Sequence, residues 1–172
     1  TWVEIRARAA AFVREWTGET RERAESQSFW NEFFAIFGLS RRRLAAFEVP
    51  VHYRDRGVGR IDLFWKGVLL VEHKTAGHDL DRAYGQATDY FPGIPERDLP
   101  RYILVSDFAR FRLYDLDKGT QDEFPLMELP RRIRAARIHH QPLIRPSRAL
   151  QTGDDIGSFV LGDDDDRDGH GD

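Results

Sequence analysis

The 172-residue chain contains no cysteine, which excludes a disulfide framework and a thiolate metal site. This absence fits a protein of the reducing cytoplasm. The chain also lacks an apolar run long enough for a transmembrane helix. Hydrophobic residues nevertheless make up 41% of the sequence, which is enough for a real core. Length and composition together predict one folded domain.

The chain has little net charge, and its total of −3 hides an uneven distribution. Residues 154–172 hold eight Asp and one Arg, so residues 1–153 carry a net charge of about +4. A mildly basic body suits contact with a DNA backbone better than the total suggests. The signal is weak, because dedicated DNA-binding domains are usually more basic.

Apolar residues recur at helical spacing in two segments, which predict helices over residues 2–16 and 20–37. The second segment carries an aromatic stripe formed by Phe29, Trp30, Phe33, Phe34 and Phe37. Such a stripe is more often part of a core than a platform for stacked bases. We therefore interpret it as core.

The middle of the chain predicts strands separated by one further helix. Apolar runs predict strands on both sides of a tight turn at Lys66-Gly67, and also over residues 44–53, 101–107 and 111–114. Asp79 can cap a helix that extends to about Tyr90. This order of elements predicts an α/β fold with a mixed β-sheet flanked by helices.

The two strands around the Lys66-Gly67 turn carry three charged residues in an apolar setting. Side chains alternate faces along a strand, so Glu72 and Lys74 point the same way. If Gly67 lies at the tip of a three-residue turn, Asp62 falls opposite Glu72 on the partner strand. Two carboxylates and an ammonium group would then lie together on one face of the hairpin.

This arrangement predicts a metal-dependent site that cleaves phosphodiesters. A divalent cation would relieve the repulsion between Asp62 and Glu72 and the cost of burying their charges. Oxygen ligands and the absence of Cys favour Mg²⁺ or Mn²⁺ over Zn²⁺. The metal would polarise the phosphoryl oxygens, and Lys74 would hold or deprotonate the attacking water or offset charge at phosphorus. The alternative is a structural ion pair between Glu72 and Lys74.

The Asp-x9-Glu-x-Lys spacing of these residues resembles the PD-(D/E)XK nuclease superfamily. The segments GRIDLFWKGVLLVEHKTAGHDLDRAYGQATDYFPG and ERDLPRYILVSDFARFRLYDL resemble the N-terminal endonuclease domain of MmeI-like type IIL restriction–modification enzymes. The similarity extends from about Trp2 to Glu128. It implies Mg²⁺-dependent cleavage of double-stranded DNA, with Asp62 and Glu72 as metal ligands and Lys74 as the catalytic lysine.

Further candidates surround these three residues. Related nucleases often add an acidic metal ligand from the first helical region, and Glu32 is either that ligand or a surface carboxylate. Gln86 and Tyr90 match a Gln-x-x-x-Tyr pattern found in some members of the superfamily, and they share a helix face. We expect Gln86 to orient the water or a metal ligand and Tyr90 to touch DNA, unless both only anchor the helix. Arg60 is a second candidate for DNA contact, whereas His73 should face away from the site.

The chain changes character after residue 130. Residues 131–148 contain six Arg and no acidic residue, and a Gly- and Asp-rich end follows. We expect residues 1–130 to form the nuclease domain. Segregated charge predicts that residues 131–172 are a disordered tail or the product of a truncation or frameshift.

In MmeI-like enzymes a helical spacer, an adenine-N6 methyltransferase and a target-recognition domain follow in the same polypeptide. The 172 residues contain no motif of these parts, so we expect a protein truncated before them. The alternative is a DNA-binding or docking remnant that does not cleave and assembles with a separately encoded methyltransferase. Cleavage of both strands would require two such centres to meet, as in a transient dimer.

Overall fold

A six-stranded mixed β-sheet is the middle layer of the part of the chain that the structure describes, residues 1–53 and 57–133. The structure is a computed structural model. The strands are β1 Ala46–His52, β2 Val58–Trp65, β3 Leu69–His73, β4 Tyr102–Ser106, β5 Arg110–Asp115 and β6 Thr120–Pro125. They lie side by side in chain order. Neighbours are antiparallel except β3 and β4, which are parallel.

Helices cover both faces of this sheet. They are α1 Trp2–Trp16, α2 Glu22–Ile36, α3 Arg41–Leu44, α4 Leu80–Asp89 and α5 Leu129–Arg132. The parallel pairing of β3 and β4 requires a crossover connection, and α4 provides it. Helix α4 packs on one face of the sheet, while α1 and α2 pack on the other.

Aromatic side chains dominate the cluster between α1, α2 and the sheet, which we call the aromatic core. Phe29 lies at its centre and is fully buried. Its ring centroid is 4.9 Å from that of Phe12 on α1 and 5.8 Å from that of Phe111 on β5. The first pair is tilted and the second is stacked, and aromatic pairs at such distances add to the free energy of burial. The interpretation of the aromatic stripe as core is therefore confirmed.

Helix α4 begins where the sequence predicts. The Asp79 carboxylate accepts a hydrogen bond from the Asp81 amide at 2.8 Å and caps the helix. The apolar side of α4, formed by Leu80, Ala83 and Ala87, is buried in a second cluster against the sheet, which we call the α4 core. This packing fixes the helix across β3 and β4.

The predicted α/β fold with a mixed sheet and flanking helices is confirmed. Strand β6 was missed, because Phe124 is its only buried residue and polar residues surround it. The core also extends past the predicted boundary at residue 130, since Ile133 is buried in the aromatic core. Residues 54–56 of the segment before β2 and residues 134–172 of the predicted tail lie outside the described residues. None of the described helices has the length and apolar character needed to cross a membrane.

Candidate active site

A tight hairpin places Asp62 opposite Glu72. Gly67 lies in the three-residue connection between β2 and β3 and has a φ of 70°, a left-handed conformation that glycine adopts without steric cost. The register pairs Leu63 with Val71. The next position along each strand therefore sets Asp62 against Glu72, and the predicted register is confirmed.

Strand β1 is distorted where it passes Asp62. Its ladder with β2 skips Glu48, the residue that would pair with Asp62. Glu48 has a φ of 53°, which is uncommon for a residue with a side chain. On β2, Ile61 packs in the α4 core whereas Leu63 packs in the aromatic core. The strict alternation of side chains is thus broken at Asp62, as at a bulge that redirects a side chain.

Glu72 is fully buried, with an exposed fraction of 0%. Its Oε2 accepts a hydrogen bond from the Lys74 Nζ at 3.1 Å, and its Oε1 has no hydrogen-bond partner among the described residues. Burial and the charge of Asp62 raise the pKa of Glu72 to about 8, although the Lys74 charge lowers it. A buried carboxylate oxygen without a partner is costly, so the site favours either a proton or a bound cation.

Asp62 is held by the backbone of the neighbouring strand. Its Oδ2 accepts a hydrogen bond from the His73 amide at 2.7 Å. Burial raises the pKa of Asp62 to about 6, while this hydrogen bond and the Lys74 charge act in the opposite direction. Both carboxylates of the pair therefore bind protons more strongly than ordinary side chains, as like charges in a dry site do.

A chain of hydrogen bonds leads from Lys74 to α4. The Lys74 Nζ donates to the Gln86 Oε1 at 2.8 Å, and the Gln86 Nε2 donates to the Tyr90 hydroxyl at 2.7 Å. That hydroxyl donates to the Arg60 carbonyl at 2.7 Å. The structure thus joins the predicted Gln-x-x-x-Tyr pair to the lysine and to β2.

The position of Tyr90 corrects its predicted contact with DNA. The side chain is 1% exposed, and its ring stacks on that of Tyr53 with the centroids 5.6 Å apart. Burial, the largest cause, raises the pKa of Tyr90. Tyr90 anchors α4 to the Arg60 carbonyl and would have to leave the core to touch DNA. The Arg60 side chain is exposed, so its DNA contact stays a prediction.

The structure does not bring Glu32 to this site, which corrects the expectation of a metal ligand there. The Glu32 Oε2 accepts a hydrogen bond from the Trp16 indole N–H at 2.8 Å. Trp16 belongs to the aromatic core, on the opposite face of the sheet from α4. The Glu32 side chain is exposed, which agrees with the alternative of a surface carboxylate.

Glu22, the first residue of α2, reaches the site instead. Its carboxylate accepts a hydrogen bond from the hydroxyl of Thr75, the residue after Lys74. Its charge also adds to the raised pKa of Asp62. Glu22 and Thr75 line an open pocket of about 450 Å³ with residues 21 and 24. Acidic residues are common in a first helical turn, so Glu22 carried no distinguishing signal in the sequence.

His73 faces away from the carboxylate pair, as predicted. Its ring centroid lies 4.2 Å from that of Phe108 and 5.3 Å from that of Phe29 in the aromatic core. Burial lowers the pKa of His73 to about 3, so the ring is neutral at pH 7. The backbone amide of His73 thus binds Asp62, while its side chain packs in the aromatic core.

The carboxylate pair offers the donor set that Mg²⁺ uses. Asp62 and Glu72 present hard oxygens, and one oxygen of Glu72 has no partner among the described residues. No group of three or more His, Asp or Glu residues in the described part of the chain is arranged to hold a metal ion. Mg²⁺ commonly binds through one or two carboxylates together with waters and substrate phosphates. A two-carboxylate site therefore fits this ion.

Comparison with known proteins places the chain in a family. The family model described as "MmeI, N-terminal domain" matches residues 7–158, which is most of the sequence. The match continues past Glu128, where the resemblance read from the sequence ended. No curated protein and no solved structure is significantly similar to the chain.

Proposed function

The chain belongs to the family of MmeI N-terminal domains, and from this membership we propose that it is the endonuclease domain of a type IIL restriction–modification protein. Its reaction is the Mg²⁺-dependent hydrolysis of phosphodiester bonds in double-stranded DNA. The observation that carries this proposal is the joint position of Asp62, Glu72 and Lys74. Their spacing and alternation match the PD-(D/E)XK pattern, and Lys74 lies within hydrogen-bond distance of Glu72.

Asp62 and Glu72 are the residues that would hold Mg²⁺, and Mn²⁺ can use the same oxygens. When bound, the ion supplies positive charge that polarises the phosphoryl oxygens and increases the acidity of an attacking water. The two residues contribute negative charge that is costly to bury alone, which makes the site selective for a cation. Glu22 is the acidic residue from the first helical region that we now propose as an auxiliary member of the site, in place of Glu32.

Lys74 supplies the positive charge that the protein itself brings to the reaction. Its Nζ is held between the Glu72 Oε2 at 3.1 Å and the Gln86 Oε1 at 2.8 Å. An ammonium in this place offsets the negative charge that develops as the phosphorus becomes five-coordinate. Gln86 is in turn oriented by Tyr90. The protein therefore sets the direction of the Lys74 group before DNA binds.

The proposal is tested by cleavage of supercoiled DNA with and without Mg²⁺. Asp62→Ala and Lys74→Ala should each abolish cutting, because they remove a metal ligand and the ammonium group. Lys66→Ala is the matched control, since Lys66 is an exposed lysine of the same hairpin and pairs with Asp98 at 3.2 Å. It should cut at the wild-type rate.

Three outcomes separate the possibilities. Mg²⁺-dependent cutting that survives in Lys66→Ala and disappears in the two site variants supports a working nuclease. Mn²⁺ binding that is lost in Asp62→Ala, without any cutting by the wild type, supports the non-cleaving DNA-binding remnant instead. A chain that neither cuts DNA nor binds Mn²⁺ overturns the proposal.

A further inference from the structure

The turn between β4 and β5 contains a carboxylate that the proposed reaction does not use. Asp107 is 1% exposed, yet its oxygens are fully engaged. Its Oδ1 accepts the Arg110 amide at 3.0 Å, and its Oδ2 accepts the Gly77 amide at 3.1 Å and the Arg110 Nε at 3.2 Å. Asp107 thus ties its own turn to the segment that follows Lys74.

Arg110, the first residue of β5, completes this connection. Its Nη2 donates a hydrogen bond to the His78 carbonyl at 2.9 Å, and its Nη1 donates to Glu123 at 3.3 Å. Asp107 and Arg110 therefore hold two consecutive residues, one through its amide and the other through its carbonyl. These two residues lie between Lys74 and the first turn of α4.

The same turn also contacts the chain at Lys74 and just before it. The Lys74 amide donates a hydrogen bond to the Ser106 carbonyl at 2.8 Å. Phe108 packs against the His73 ring, with 4.2 Å between centroids, and has a φ of 65°. A bulky residue with a left-handed backbone is strained and persists only where its surroundings hold it. Here the buried aromatic ring holds it.

We propose that Asp107 and Arg110 are positioning residues, which hold the backbone that follows Lys74 so that its ammonium meets Glu72 and Gln86. The inference rests on the proposed nuclease function for its effect on rate. The location of the Lys74 ammonium does not depend on that function and can be tested without it. Neither residue contacts the reacting groups. The Asp107 oxygens accept hydrogen bonds from Gly77 and Arg110. The Arg110 guanidinium binds Asp107, the His78 carbonyl and Glu123.

Asp107→Asn is the decisive variant. The amide has the shape of the carboxylate but replaces one acceptor oxygen with a donor. A donor at the Oδ2 position loses the Gly77 amide and the Arg110 Nε together, and a donor at the Oδ1 position loses the Arg110 amide. Asp115→Asn is the matched control, because Asp115 also accepts turn amides, at 3.1 and 3.2 Å, and pairs with Arg101 at the other end of β5. Arg110→Lys provides a second variant that keeps the charge but loses the forked contacts.

The first measurement is the NMR spectrum of protein labelled with ¹³C at lysine Cε. The chain has only three lysines, Lys66, Lys74 and Lys118, so each signal can be assigned by substitution. Asp107→Asn should shift the Lys74 signal and leave that of Lys66 in place, whereas Asp115→Asn should leave Lys74 unchanged. An unmoved Lys74 signal in folded Asp107→Asn, or in folded Arg110→Lys if the first variant does not fold, overturns the proposal.

The second measurement is single-turnover cleavage. Displacing a reacting group by about 1 Å costs on the order of 100-fold in rate, so we expect a loss of about 10- to 100-fold in Asp107→Asn with DNA affinity unchanged. A loss of DNA affinity with an unchanged rate would contradict a positioning role. If the wild type does not cleave but the Lys74 signal moves, positioning is supported and the nuclease function fails.

Discussion

Glu72 and His73 are neighbours on β3, and both are buried to 1% exposure or less. They face opposite sides of the sheet and show what each side does. The His73 side chain is surrounded by aromatic rings and stays neutral, since burial lowers its pKa to about 3. Glu72 lies beside Asp62 and Lys74, where a cation can compensate its charge. At β3, one face thus packs a histidine among aromatic rings, and the other holds the charged residues to which we assign the proposed chemistry.

The largest effect on stability should come from a substitution in the aromatic core. Phe29→Ala removes a fully buried ring and should lower the free energy of unfolding by about 3–5 kcal/mol. Urea unfolding measures this change. Phe37→Ala, at the half-buried end of α2, should cost less.

Phe29→Ala also tests whether the two faces of the sheet are independent. At temperatures where the variant is folded, its Mn²⁺ affinity should equal that of the wild type, because the ring lies on the other face of the sheet. A folded variant that binds Mn²⁺ much more weakly would show that the two faces are not independent.

The second effect is a dependence of stability on pH that arises on the charged face. The pKa of Glu72 is about 8 in the folded chain and 4.5 for an ordinary glutamate side chain, so the folded state keeps a proton that the unfolded state has lost. The contribution of Glu72 to the free energy of unfolding is therefore fully present below pH 4.5. It falls as the pH rises towards 8, by at most about 1.4 kcal/mol per pH unit for one proton. Asp62 adds a smaller fall between 3.8 and about 6.

Glu72→Gln tests the origin of this slope. Glutamine cannot ionise, so the variant should lose most of the decline in stability between pH 6 and pH 8, as followed by urea midpoints. It should also lose Mn²⁺ binding, which in the wild type should strengthen over the same range because metal ligands must be deprotonated. A slope that persists in Glu72→Gln would assign the titration to another group.

The parts of this site that the sequence predicts are those fixed by local geometry. The period of a strand puts Glu72 and Lys74 on one face, and the position of Gly67 sets Asp62 opposite Glu72. Helical spacing likewise gives the aromatic core and the Gln86–Tyr90 pair. Each of these relations spans few residues, or depends on a turn with a single register.

The parts that were missed depend on packing between distant segments. Glu22 reaches Thr75 across 53 positions, and no periodicity indicates which acidic residue of α2 faces the hairpin. Glu32 lies on the expected helix, but its carboxylate binds the Trp16 indole N–H instead of reaching the hairpin. Tyr90 shares a helical flank with Gln86 but ends inside the fold, since its hydroxyl finds the Arg60 carbonyl.

The smallest effect on stability should come from Tyr90, which is buried like a core residue but is hydrogen-bonded to the charged site through Gln86. Tyr90→Phe keeps the stacked ring and removes the hydroxyl that links Gln86 to the Arg60 carbonyl, which should cost about 1 kcal/mol of stability. Gln86 loses its orienting partner, so cleavage should slow several-fold with DNA affinity unchanged, as measured by single-turnover rates and binding titrations. Tyr84→Phe on the same helix is the control, because its hydroxyl makes no hydrogen bond within the described residues. Weaker DNA binding by Tyr90→Phe would instead support the predicted contact between Tyr90 and DNA, against which the burial of the side chain argues.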